Sequence, residues 1–150
     1  MPQMPVSQLI PVLQVAIGPV ILISGIGLLL LTLTNRFGRA VDRSRQLLRE
    51  MREAPDPERQ RLAGQVAILY TRAQAIRLAI ITAAVSVLLV AVLIIVIFLS
   101  ALLKLEVGFA ISLLFIGCMA SLIVSLAAFI RDIHLSLKAL KLELGYQKPG

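Results

Sequence analysis

Between Leu78 and Leu103 no side chain carries a charge, and the same is true from Leu9 to Thr34 and from Val107 to Ile130. Each run is longer than the roughly 20 residues an α-helix needs to cross the hydrocarbon core of a bilayer. Backbone inside that core finds no water, so a span must satisfy its own N–H and C=O groups, and a helix does so within one segment. The runs predict an all-α membrane protein with three transmembrane helices, at about 9–34, 78–103 and 107–130. Only 15% of the residues are charged, against about a quarter in a soluble domain. Residues 1–150 read as a single membrane-embedded domain with no stretch left for a second, soluble core.

The charges are concentrated. Residues 35–77 hold Arg36, Arg39, Arg43, Arg45, Arg49, Arg52, Arg59, Arg61, Arg72 and Arg77, with Asp42, Glu50, Glu53, Asp56 and Glu58 among them. Phe37, Ala40, Val41, Ser44, Leu47, Leu48 and Met51 recur at helical spacing through the first half of this block. Leu62, Val66, Leu69, Ala73 and Ile76 do so through the second, at steps of heptad type. Pro55-Asp56-Pro57 separates the two halves as a turn signal. The expectation is a long cytoplasmic helical hairpin, about 35–77, between spans one and two. Lys104-Leu105-Glu106 is a very short turn that makes spans two and three antiparallel neighbours. The tail, 131–150, carries Ile133, Leu137, Leu140 and Leu144 on one face and Lys138 and Lys141 on another. That pattern predicts a short amphipathic C-terminal helix stopping at Gly145.

Of the 15 Lys and Arg residues, all but Lys104 fall in the hairpin or the tail. The positive-inside rule then sets the N-terminus outside and the hairpin and tail in the cytoplasm. For a bacterial chain this is a multi-pass protein of the inner (cytoplasmic) membrane. Residues 1–8 contain no Lys or Arg, and the apolar run after them exceeds a signal-peptide core, so it is expected to stay as a span. The net charge of +7 lies beside the spans. That placement points to anionic lipid head groups and not to nucleic acid.

Two stripes stand out inside the spans. Ser7, Pro11, Gln14, Gly18, Gly25 and Thr32 share one face of the first, next to Pro19, whose missing N–H favours a kink. This stripe is either a close helix–helix seam or the wall of a polar path. In the third span Gly117, Ser121 and Ser125 follow at steps of four, a small-xxx-small pattern that predicts a helix contact.

Enzyme signatures are missing. One His and one Cys give no two-histidine metal site and no dithiol pair. No Gly-rich phosphate loop and no G-x-S-x-G occur. No cofactor or metal is expected, and Cys118 reads as a packing residue. One constellation remains at the inner end of the first span: Asn35, Arg36, Arg39, Asp42, Arg43 and Arg45. With the hairpin formed, Arg72, Arg77, Arg131 and Asp132 return to the same depth. Asp42, set between arginines, is expected to be the acid at the centre of a packed polar cluster or lipid head-group site.

Ala16-Ile17-Gly18-Pro19 with Ser24-Gly25, and the segment from Leu33 through Thr34-Asn35-Arg36 to Asp42-Arg43-Ser44-Arg45, resemble the signature of a bacterial family of small membrane proteins. The family is catalogued as a domain of unknown function (number 2721). The resemblance continues through Arg72–Ile80 and Phe129–Leu135 and spans roughly Val6 to Leu144, its most specific part being Thr34–Arg45. It carries over Asn35, Arg36, Arg39, Asp42, Arg43, Arg45 and Arg131; Asp132 stands where Glu is more usual. It implies an integral bacterial membrane protein and supplies no activity. The expected function is non-enzymatic: a self-associating structural or interaction protein whose basic hairpin meets anionic lipid or a partner. The alternative is a small homo-oligomeric ion channel lined by the first span.

Overall fold

Every helical expectation rests on backbone pairing, and the computed structural model, which describes residues 6–104 and 106–146, shows three helices and no strand among those residues. Helix α1 runs Val6–Glu53, α2 Asp56–Leu103 and α3 Gly108–Tyr146. Each is long and apolar enough to cross a membrane. Side chains are described for residues 10–104 and 106–137, so Ser7 and the Lys138, Leu140, Lys141 and Leu144 faces of the tail lie outside them.

The boundaries correct two expectations. No separate hairpin appears as an element of its own: residues 35–53 are the end of α1, and 56–77 are the beginning of α2. No separate C-terminal helix appears either, because α3 continues past Ile130 and through Gly145 to Tyr146. The cause is the same in both cases. Nothing at Thr34, Arg77 or Ile130 breaks an α-helix, so a change from apolar to charged surroundings alters what the helix touches and not its backbone. Pro11 and Pro19 both lie within α1. In apolar segments the groups freed by proline can be re-satisfied by local adjustment.

Both turns have local causes. α1 ends at Glu53, and the Pro55 carbonyl accepts from the N–H groups of Glu58 and Arg59 at 3.1 and 3.0 Å, starting α2. Pro57 therefore sits in the first turn of α2, where its missing N–H costs nothing. Asp56 and Glu58 lie beside the positive end of the helix dipole. Arg59 Nε donates to the Met51 carbonyl at 3.3 Å, capping an orphan acceptor at the end of α1. At the other turn Lys104 has φ 52°, the left-handed conformation that ends many helices and that glycine usually supplies. Leu105 lies outside the described residues.

The chain divides into two compact units, Met1–Leu30 with Thr82–Ile123 and Leu31–Ile81 with Val124–Gly150. In the first, the buried residues are Ala16 and Ile26 of α1, Ala83, Ser86, Val90 and Leu93 of α2, and Cys118 of α3. In the second they are Leu33, Ala40 and Leu47 of α1, Ala75, Ile76 and Ala79 of α2, and Ser125, Ala128 and Asp132 of α3. Large apolar side chains face outward in quantity, among them Ile21, Leu28, Leu88, Ile95 and Ile123, each more than 60% exposed. In water such a surface would be an aggregation liability. A lipid-facing helix carries it without penalty.

Candidate functional site

Serine hydroxyls sort the helix surfaces. Ser24, Ser100 and Ser112 donate to carbonyls of their own helices, three or four residues back, and so hold no partner element. Three others reach across. In the first unit Ser86 Oγ of α2 donates to the Cys118 carbonyl of α3 at 3.1 Å, with the Cys118 Sγ at 3.2 Å. Ser121 Oγ donates to the Thr82 carbonyl at 2.7 Å. In the second unit Ser125 Oγ donates to the Ala79 carbonyl at 2.8 Å. Of the third-span stripe, Gly117 and Ser121 lie on the α2–α3 seam of the first unit and Ser125 on that of the second. A Cβ built on Gly117 would meet Leu89 Cδ1 at 3.6 Å, an ordinary contact. Small residues let the two backbones approach, and the hydroxyls then find carbonyls within reach.

In the second unit the α2–α3 seam runs on to a charge cluster. Asp132 of α3 is fully buried, and two guanidiniums close on it from different helices. Arg72 Nε of α2 donates to Asp132 Oδ1 at 3.3 Å. Arg36 Nη2 of α1 lies 2.8 Å from Oδ2, a charge contact, since that oxygen accepts no hydrogen bond. The Arg36 guanidinium also lies 5.2 Å from the centre of the Phe129 ring, within cation–π range. Ser136 Oγ donates to the Asp132 carbonyl at 2.9 Å. One buried carboxylate thus ties α1 and α2 to α3.

Beside it is a pocket of about 370 Å³, lined by Arg36, Arg39, Ala40 and Arg43 of α1, Leu69 and Arg72 of α2, and Ser136 of α3. Steps of three and four put the α1 residues on one face. Four arginines line this pocket and no carboxylate does. Among the described residues no group of three or more His, Cys, Asp or Glu converges as a metal site.

The candidate residues from the sequence separate accordingly. Arg36, Arg39, Arg43 and Arg72 are brought together. Asn35, Arg45, Arg77 and Arg131 are exposed and do not line the pocket. Asp42 is the correction: it is exposed and makes no ion pair among the described residues, while Asp132 holds the central place. Asp42 lies on α1 itself, turned to solvent, whereas Asp132 projects from α3 into the space between the other two helices. The first-span stripe forms no seam within this chain among the described residues. Gln14, Gly18, Gly25 and Thr32 are exposed, and nothing lies within 4 Å of a Cβ built on Gly18 or Gly25. The face of α1 buried within this chain is instead Ala16, Ile26 and Leu33, with Pro19 partly covered.

Three long helices, each apolar enough to span a membrane and tied in one unit by a buried arginine–aspartate cluster, define an all-α protein of membrane-span character. Residues 16–142 match the family described as Protein of unknown function (DUF2721), and the chain belongs to that family. No curated protein and no solved structure matches the chain.

Proposed function

We propose that this chain is an integral, multi-pass protein of a bacterial inner membrane, non-enzymatic, that self-associates and presents its basic helix ends to anionic head groups or a partner in the cytoplasm. In this reading the ends of α1 and α3 and the start of α2 lie inside, and the N-terminus is outside. The supporting observation is the arginine face of α1. Arg36, Arg39 and Arg43 begin within one turn of an uncharged run and converge with Arg72 on a single pocket. Arginines at that depth interact with anionic lipid at about 1 kcal/mol each.

The test is topology together with assembly. Cysteines introduced at Pro57 and at Ser7, with Cys118 replaced, are labelled in intact cells by a membrane-impermeant reagent. Labelling at Ser7 alone is expected; labelling at Pro57 from outside would overturn the orientation. Exposure of Gln14, Gly18 and Gly25 on α1 favours a second reading, in which copies associate around this face as a small homo-oligomeric ion channel. Ion flux from reconstituted vesicles, measured beside oligomeric state in mild detergent, separates the two readings. A strict monomer would remove both self-association and the channel.

A further inference from the structure

Arg39 and Arg43 are exposed, pair with no carboxylate among the described residues, and face the same pocket as Arg36 and Arg72. Among the described residues, the only acid touching this group is Asp132. It engages Arg36 and Arg72 from the buried side and does not line the pocket. Four guanidiniums against one carboxylate leave the concave surface positive, and a concave positive surface concentrates anions. The side chains come from two helices, and Arg36 and Arg72 are already fixed by Asp132, so half of the donor set is held in place before a ligand arrives. A volume of about 370 Å³ is within the range of small-ligand sites.

We propose that this pocket binds a phosphate group. Guanidiniums pair with phosphate through two parallel N–H···O bonds. A phosphomonoester, with three acceptor oxygens and nearly two negative charges at neutral pH, answers several arginines at once. Ala40 and Leu69 give the pocket an apolar part against which the carbon portion of an ester can rest. The proposal rests on the reading of the basic helix ends as head-group facing, and it narrows that reading from a diffuse basic surface to one site. Phosphate chemistry reaches such a site from a lipid head group or from free phosphate, and the test distinguishes these sources.

The full chain, purified in mild detergent, is titrated with short-chain phosphatidic acid, with inorganic phosphate and with short-chain phosphatidylcholine, and its unfolding temperature is followed. Two double variants are compared: Arg39→Gln with Arg43→Gln in the pocket, and Arg45→Gln with Arg49→Gln, which remove the same charge outside it. All four side chains are exposed, so neither pair disturbs the buried cluster. The wild type and the Arg45/Arg49 variant are expected to respond to phosphatidic acid alike. The Arg39/Arg43 variant should need at least about tenfold more, as expected for lost charge-assisted bonds. If inorganic phosphate acts in the same range and shows the same variant dependence, the site holds a free phosphate group; if only the lipid acts, it holds a head group. Equal losses in the two variants, with phosphatidic acid still preferred over phosphatidylcholine, overturn the pocket and leave the basic-surface reading standing. No preference between the two lipids overturns both.

Discussion

Asp132→Asn removes one charge and almost no volume, which makes it the sharpest perturbation of the buried cluster. The wild-type carboxylate is fully buried, with Arg36 at 2.8 Å and Arg72 at 3.3 Å. Neutralising it leaves two guanidiniums facing each other around an amide that can still accept one bond but cannot balance either charge. Breaking a buried ion pair from one side costs about 3–5 kcal/mol, because the surviving charge is left without compensation. The Arg36 and Arg72 side chains are 25% and 22% exposed, so water relieves part of that cost. The lower end, about 3 kcal/mol, is expected. For a chain of this size that corresponds to a drop of about 6–12 °C in Tm. Thermal unfolding in mild detergent followed by far-ultraviolet circular dichroism measures it, with Asp42→Asn as the control of equal charge change at an exposed position. A further variant, Arg36→Met with Asp132→Leu and Arg72→Met, removes the charges together. It should recover most of the loss, since a buried ion cluster replaced by apolar groups is often neutral or stabilising. A loss at Asp132→Asn no larger than at Asp42→Asn would refute the cluster. A triple variant as unstable as Asp132→Asn would show that packing, not charge balance, is what the site contributes.

Ser121→Ala and Ser125→Ala each remove a hydroxyl that donates to a carbonyl of α2, and each should destabilise by about 0.6 kcal/mol, with about 1.7 as the ceiling. Ser24→Ala and Ser112→Ala, whose hydroxyls bond within their own helix, should leave Tm unchanged in the same unfolding assay. Lys104→Gly relieves a left-handed backbone at a non-glycine residue and should stabilise by up to about 1 kcal/mol. A lower Tm for that variant would count against the strain. Gly117→Ala should be tolerated, because its Cβ would sit 3.6 Å from Leu89; Gly117→Leu should cost about 1–3 kcal/mol by forcing that contact apart.

Different parts of the chain were legible to different degrees, and the solvent is the reason. The apolar runs announced three helices because a bilayer demands length and lack of charge. Beyond Thr34, alternation of apolar and charged residues also marked the inward face: Ala40 and Leu47 are buried, and only Leu48 of that stripe is turned well outward, at 42% exposed. Within the first run the same logic fails. Lipid is as apolar as leucine, so hydrophobicity does not distinguish a protein-facing side from a lipid-facing one. By composition the small and polar stripe at Gln14, Gly18 and Gly25 reads as a seam or as the wall of a path, while the α1 residues buried within this chain include Ala16, Ile26 and Leu33.

The acid at the centre of the cluster shows what further signal the sequence held. In the sequence Asp42 is the acid set among Arg36, Arg39 and Arg43. Neighbours on one helix share a surface, but a carboxylate between helices has to come from a different one. The buried residues supply the register. On α3, Cys118, Ser125 and Asp132 recur every seven residues, all fully buried; on α1, Ile26, Leu33, Ala40 and Leu47 keep the same step. A strict seven-residue recurrence is the mark of a packed seam and not of a free-standing helix face. Carrying the third-span stripe one heptad on from Ser125 reaches Asp132, and carrying the partner helix one heptad back from Ala79 reaches Arg72. Those two residues are the ones that pair, with Arg72 Nε bonded to Asp132 Oδ1. The seam that small residues establish in apolar surroundings therefore fixes which charges meet where the apolar run ends. That constraint leaves Asp42 free in solvent and Arg39 and Arg43 open to a ligand.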